Sequence, residues 1–152
     1  MKVARPIRRI LYATDFSKAS TRALDEAVSL AKQNHAELLV LHVIEPVGQY
    51  AAGEDFDGAA LYMKMEEAAK QDAERSMQKL MRKLQQARVK AKSLLLKGRA
   101  YDRILKAAKN RRANMIVIGT HGRTGLSKLF MGSVAGRVVS GATCPVVSVR
   151  GK

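Results

Sequence analysis

A single cysteine, Cys144, stands in the 152 residues. No intrachain disulfide can form and nothing points to an oxidising compartment, so a cytoplasmic protein is expected. Tryptophan is absent and aromatic residues make up only 5% of the chain. With so few rings, the base-stacking platforms that hold single-stranded nucleic acid have little support. Long apolar runs are missing too. The longest, Leu38 to Ile44, is interrupted by His42 and falls far short of the ~18–20 residues of a membrane span. The start is basic (Lys2, Arg5, Arg8, Arg9), but only Ile10–Ala13 follows before Thr14 and Asp15. That stretch is too short for the apolar centre of a secretory signal. The expectation is a soluble protein with no transmembrane segment.

Glycine is absent between Thr14 and Leu30, so the turn after the first apolar run cannot be the Gly-x-Gly-x-x-Gly of dinucleotide-binding domains. Nor does Gly-x-x-x-x-Gly-Lys-Ser/Thr occur anywhere. The dehydrogenase and P-loop readings are removed.

What the chain has in excess is positive charge: Lys+Arg 28 against Asp+Glu 13, a net +15. Residues 1–69 hold 8 basic and 10 acidic residues, residues 70–112 hold 15 and 3, and residues 113–152 hold 5 and none. The excess therefore has two separate sources. In 70–112 the plain reading is solvated helix faces (Arg75, Lys79, Arg82, Lys83), with Lys90 and Lys92 discouraging pairing at a sheet edge. The sharper reading is a surface for an acidic protein, an anionic membrane or nucleic acid.

Five short apolar runs alternate with helical patterns, the signature of one α/β domain over residues 1–152 with a parallel sheet buried on both faces. Ile7–Ala13 is the first strand, and Ser17 caps a helix carrying Ala19, Ala23, Ala27, Leu30 and Ala31. Glu37–Ile44 is the second strand. Pro46 to Ala60, with three glycines and three acids, reads as a long loop. A helix from Leu61 to about Ala87 follows, with Met63, Met65, Met77 and Met81 assigned to packing on its face. Ala91–Leu96 is the third strand, Gly98 a break, and Tyr101, Ile104, Leu105 and Ala108 the buried side of a third helix. Met115–Ile118, a short helix from Ser133 to about Ser140 capped by Gly141, and Pro145–Val149 complete the order.

Open parallel sheets bind ligands beyond the carboxyl ends of their strands. The informative loop follows Ile118. Gly119 and Gly122 allow backbone to pass close to a ligand, and Gly132-Ser133 opens a helix whose unpaired N–H groups favour an anion. Together they form a phosphate cradle.

The spacing Gly119-x2-Gly122-x9-Gly132-Ser133, preceded by Met115-Ile116-Val117-Ile118 and followed by Cys144-Pro145-Val146-Val147, resembles the nucleotide-binding branch of the universal stress protein family. Ile10-Leu11-Tyr12-Ala13-Thr14-Asp15-Phe16-Ser17, Leu41-His42-Val43 and Gly98 extend the resemblance over nearly the whole chain. It implies a doubly wound five-stranded parallel sheet in the order 3-2-1-4-5 with helices on both faces, ATP as ligand, and a homodimer through the last strand. Ala13, Thr14 and Asp15 would meet the nucleoside, with Asp15 on the ribose. The Val43 backbone would read adenine, and Gly119, Thr120, Gly122, Arg123, Gly132, Ser133 and Val134 would surround ribose and phosphates. The one departure is Asn114, where the family usually carries Asp.

Plainer readings stand beside these. Asp15 also suits a helix entry, His121 a solvated loop, His42 the core, His35 a turn and Cys144 a structural thiol. Residues 113–152 offer cations for phosphate and no carboxylate to activate water. The expectation is a regulatory switch or sensor with little or no ATPase activity, Mg²⁺ being held mainly by phosphates. Two alternatives remain: an adaptor using the basic 70–112 surface, and a slow ATPase with His121 as base.

Overall fold

Ile10 and Tyr12 face one side of the first strand and Leu11 and Ala13 the other, and all four are buried. A strand buried on both faces needs a layer on each, and the computed structural model supplies them. It describes residues 3–46, 56–121 and 131–151. In chain order the elements are β1 (Arg9–Ala13), α1 (Lys18–Asn34), β2 (Glu37–Ile44), α2 (Phe56–Gln86), β3 (Ala91–Lys97), α3 (Ala100–Asn110), β4 (Met115–Gly119), α4 (Ser133–Gly141) and β5 (Val146–Val149). Every ladder is parallel and the order is β3-β2-β1-β4-β5, as the resemblance implied. α1 and α2 cover the face carrying Ile10, Tyr12, Leu38, Val40 and Val117. α3 and α4 cover the face carrying Leu11, Leu39, Leu41, Ile116 and Ile118.

The helix ends share a design. Ser17 caps α1 by accepting the Ser20 N–H, as its sequence position predicts. At the other end His35 turns left-handed (φ 52°), and the Ala36 N–H bonds back to Ala31 O at 2.9 Å. Arg88 (φ 57°) and Arg112 (φ 53°) do the same after α2 and α3, with Val89 N to Leu84 O at 3.0 Å and Ala113 N to Ala108 O at 2.8 Å. In each case an apolar residue then dives back under the helix and leads toward a strand. His35 is thus the turn residue expected of it.

Three expectations need correction. α2 begins at Phe56, so residues 56–60 are helical rather than loop, because Ala59 and Ala60 favour helix more than the single Gly58 opposes it; residues 47–55 of the expected loop lie outside the described residues. Met63 and Met65 are 69% and 45% exposed, not packed. The cause is length: 31 residues of helix reach about 46 Å, while the seven of β3 reach about 23 Å, so the first turns of α2 overrun the sheet. Gly141 is the last residue of α4 and not its cap, a place taken by Ala142. A Cβ on Gly141 would come within 2.8 Å of Leu105 Cδ1, so glycine serves the contact between α4 and α3.

Asn114 accepts the backbone N–H groups of Arg8 and Arg9 on Oδ1, both at 2.9 Å. An oxygen acceptor is what this position needs, and Asn supplies it as Asp would. At the same end of the sheet the Glu37 carboxylate is nearly buried. It faces Arg9 Nε at 3.5 Å, Lys90 Nζ at 3.7 Å and Lys92 Nζ at 3.5 Å. Lys90 and Lys92 therefore neutralise a buried acid as well as guarding the edge.

Candidate functional site

β1 is flanked by β2 on one side and β4 on the other, and the chain leaves these neighbours toward opposite faces of the sheet. A cleft of about 650 Å³ opens beyond their carboxyl ends, within the size range of small-molecule sites. Ala13, Thr14, Asp15, Val43, Gly119, Thr120, Gly132, Ser133 and Val134 all line it. Gly122 and Arg123 lie outside the described residues.

Thr14 organises one wall. Its N–H donates to Leu41 O at 2.9 Å, its hydroxyl accepts the Phe16 N–H at 3.0 Å and meets Ser20 Oγ at 3.1 Å, and its carbonyl accepts from His42 Nδ1 at 2.8 Å. A carbonyl only accepts, so His42 carries its proton on Nδ1. Asp15 Oδ1 accepts the Ser17 N–H at 2.9 Å; the residue enters α1 and lines the cleft at once. Between them Phe16 adopts φ 62°, a left-handed conformation that costs a bulky residue about 1–2 kcal/mol. Its ring lies 4.5 Å from that of His42, tilted by 35°. His42 is thus half-buried at the cleft and is not a core residue.

The far wall depends on Gly132. Its N–H reaches Thr120 O at 2.6 Å, and a Cβ there would stand 2.8 Å from that same carbonyl. Only glycine lets α4 start this close to the end of β4. Among the described residues no side chain caps the N-terminus of α4, and its first-turn N–H groups and dipole favour an anion. Next to them Thr120 Oγ1 and His121 Nδ1 are 2.8 Å apart.

The charge at the site differs from what the sequence suggested. Arg137 places its guanidinium 4.6 Å over the Tyr101 ring, and Arg150 is exposed after β5; neither lines the cleft. Arg123, Lys128 and Lys152 lie outside the described residues. Among the described residues no lysine or arginine lines the cleft, whereas Asp15, Glu45 and Asp72 do. Among the described residues, the group at the cleft that favours an anion is the start of α4. Among these residues no group of three His, Cys, Asp or Glu side chains is placed to hold a metal ion. Cys144 is half-buried behind α4, and burial pushes its thiol up, away from the reactive thiolate.

Sequence reasoning missed the roof. Ala69, Asp72, Ala73 and Ser76 of α2 line the cleft at the i, i+3, i+4, i+7 spacing of one helix face. That spacing was visible, but nothing local tells a core-facing stripe from a ligand-facing one. Glu45 was also missed; its Oε1 accepts the Ala100 N–H at 3.1 Å and so caps α3.

Residues 6–150 match the universal stress protein family. The chain belongs to that family. It is 39% identical over 144 residues to a universal stress protein of Thermus aquaticus, covering 94% of this chain and 98% of that one. Universal stress protein MJ0531 of Methanocaldococcus jannaschii is 31% identical over 146 residues, covering 94% and 82%. Among solved structures, MJ0577 superposes with a TM-score of 0.85 at 25% identity, over 97% of this chain and 99% of that one. An Arabidopsis thaliana family member with AMP bound has the same fold, with a TM-score of 0.66 at 22% identity over 95% and 92%. Another universal stress protein, in complex with cAMP, gives 0.59 at 20% over 93% and 95%.

Proposed function

We propose that this universal stress protein binds ATP in the cleft at the sheet switch point and acts as a nucleotide-dependent regulatory switch in the cytoplasm, with little or no hydrolysis. The observation that carries the reading is the cleft itself. It collects nine of the eleven residues that the family pattern assigns to nucleotide and sets the N-terminus of α4 at one end. The nucleotides held by two family members of the same fold support the ligand class.

In this reading the Val43 backbone meets adenine and Asp15 the ribose. Thr120, Ser133 and the first N–H groups of α4 hold phosphate, with Gly122 and Arg123 of the connecting loop, and Mg²⁺ sits mainly on phosphate oxygens. Hydrolysis has weak support because each described carboxylate of the cleft already has a partner: Asp15 the Ser17 N–H, Glu45 the Ala100 N–H, and Asp72 the Arg75 guanidinium. His121, whose Nδ1 meets Thr120 Oγ1 at 2.8 Å, is the candidate base for a slow ATPase. Dimerisation is assigned to β5, which forms the outer edge of the sheet beside β4, and sedimentation at micromolar concentration tests it.

Calorimetric titration with Mg-ATP tests the main proposal, with sodium tripolyphosphate as control because a chain of +15 attracts any polyanion. Saturable binding of Mg-ATP and no comparable binding of tripolyphosphate is the expected result. Gly132→Val should abolish it, since the new side chain displaces the α4 start from Thr120. Equal heats for both ligands would sink the reading. Phosphate release that disappears in His121→Ala would replace the switch by a slow ATPase.

A further inference from the structure

The charge in the middle of the chain is concentrated more sharply than the segment count implies. From Arg75 to Tyr101, both included, there are nine lysines and arginines and no acid. This stretch forms the carboxyl half of α2 and all of β3. β3 is an edge strand. Lys90 O accepts the Leu38 N–H at 2.8 Å and Gly98 N donates to Ile44 O at 3.0 Å, so the even-numbered residues bond toward β2. By alternation Ala91, Ser93, Leu95 and Lys97 turn their N–H and C=O groups outward. Among the described residues no strand pairs with that row.

Beside the row runs a groove of about 550 Å³. Gln78, Met81, Arg82 and Gln85, one i, i+3, i+4, i+7 stripe of α2, form one wall, and Val89 and Ala91 the other. Its floor is apolar (Met81, Val89, Ala91) and its rim is cationic. Lys90 also lines the groove, and Lys92 stands on the opposite face of the same edge; both ammonium groups lie within 4 Å of the Glu37 carboxylate.

We propose that this edge is a docking site for an extended acidic peptide of a partner protein, which adds to β3 as a sixth strand. Alternate peptide side chains would fill the apolar groove and meet the lysine face. Charge selects the occupant: Glu37 offsets one of Lys90 and Lys92 and Glu66 offsets Lys97, but with Arg82 and Arg88 the edge keeps a positive excess that opposes a second copy and attracts an acidic strand. The outward N–H and C=O row selects peptide over nucleic acid, since alternating donors and acceptors match only another backbone. The groove also contains no aromatic side chain on which a base would stack.

The probe is a fluorescein-labelled ten-residue peptide of alternating Val and Glu, tested against the intact protein by anisotropy. Binding that weakens severalfold between 50 and 500 mM NaCl is expected. Ser93→Pro removes one outward donor and no bond to β2, and should weaken binding at least tenfold while Ser93→Ala does not; Arg82→Glu should weaken it severalfold. The same peptide with alternate amides N-methylated should not bind, an arm that holds even where Ser93→Pro disturbs the fold. In hydrogen exchange the Ala91, Ser93, Leu95 and Lys97 amides should slow when peptide is added. Equal binding of the N-methylated peptide, or unchanged exchange at those four amides, overturns the proposal. So does binding of oligo-dT or phosphatidylserine vesicles in place of the peptide.

Discussion

Tyr12 is almost fully buried in the central strand, and its hydroxyl donates to Ser20 O at 2.8 Å. The bond ties β1 to the first turn of α1, where the cleft begins. Tyr12→Phe keeps the ring and loses the bond, which should cost about 1 kcal/mol in urea unfolding. Burial is the main cause that raises the hydroxyl above its ordinary value of 10.0, with hydrogen bonds to Thr14 and Ser20 offsetting part of it. A raised acid favours the neutral folded form, so stability is whole below about pH 10 and falls above it as the unfolded chain ionises. Tyr12→Phe should flatten that alkaline loss; an equally steep decline in the variant would assign it to other groups. Residue identities of this kind were legible, but their reasons often were not. Gly119 and Gly132 look alike in sequence, both being glycines of one loop. In the structure a Cβ on Gly119 would meet Ala19 O at an ordinary 3.5 Å, while one on Gly132 would meet Thr120 O at 2.8 Å. Only Gly132 is sterically compelled to be glycine.

Elements were more legible than residues, because period and length survive without knowledge of neighbours. β2 occupies the predicted Glu37–Ile44, and β3 and β4 each run one residue past their predicted ends. The errors fell where tertiary length decides: α2 outgrows the sheet, and its first turns carry Leu61, Met63 and Met65 into solvent. Helix ends were the other gap. His35 was read as a turn residue, but nothing in the sequence marked Arg88 and Arg112, which follow α2 and α3 in the same left-handed geometry. A side chain in that conformation costs roughly 1–2 kcal/mol, and glycine avoids it while paying about 0.5–1 kcal/mol in unfolded-chain entropy. His35→Gly should therefore stabilise the protein by about 0.5–1 kcal/mol in denaturant titration. A loss of stability would mean that the imidazole makes contacts worth more than the strain.

At the scale of the whole molecule, the two sources of charge came apart in an unexpected way. Of the five cations of residues 113–152, Arg137 packs on Tyr101 and Arg150 lies outside the cleft lining, while Arg123, Lys128 and Lys152 lie outside the described residues. The 70–112 excess divides between residues 75–97, with eight basic residues and no acid, and residues 99–112, with six and Asp102; none of these basic residues lines the cleft. Glu37, Glu66, Asp72 and Asp102 make ion pairs, and all of these but Glu37 are at least partly exposed and weak. Repulsion among 28 basic residues acts over the whole surface and is screened within about 10 Å at 0.1 M salt. Repulsion should dominate, so Tm should rise by a few degrees between 10 and 300 mM NaCl, with chloride used because sulfate and phosphate would bind. Glu37→Gln removes the one nearly buried pairing and should lower Tm at every salt concentration while steepening the rise. A Tm that falls with salt would show instead that the contacts of Arg9, Lys90 and Lys92 with Glu37 outweigh the repulsion, and the variant would then lose the salt dependence altogether.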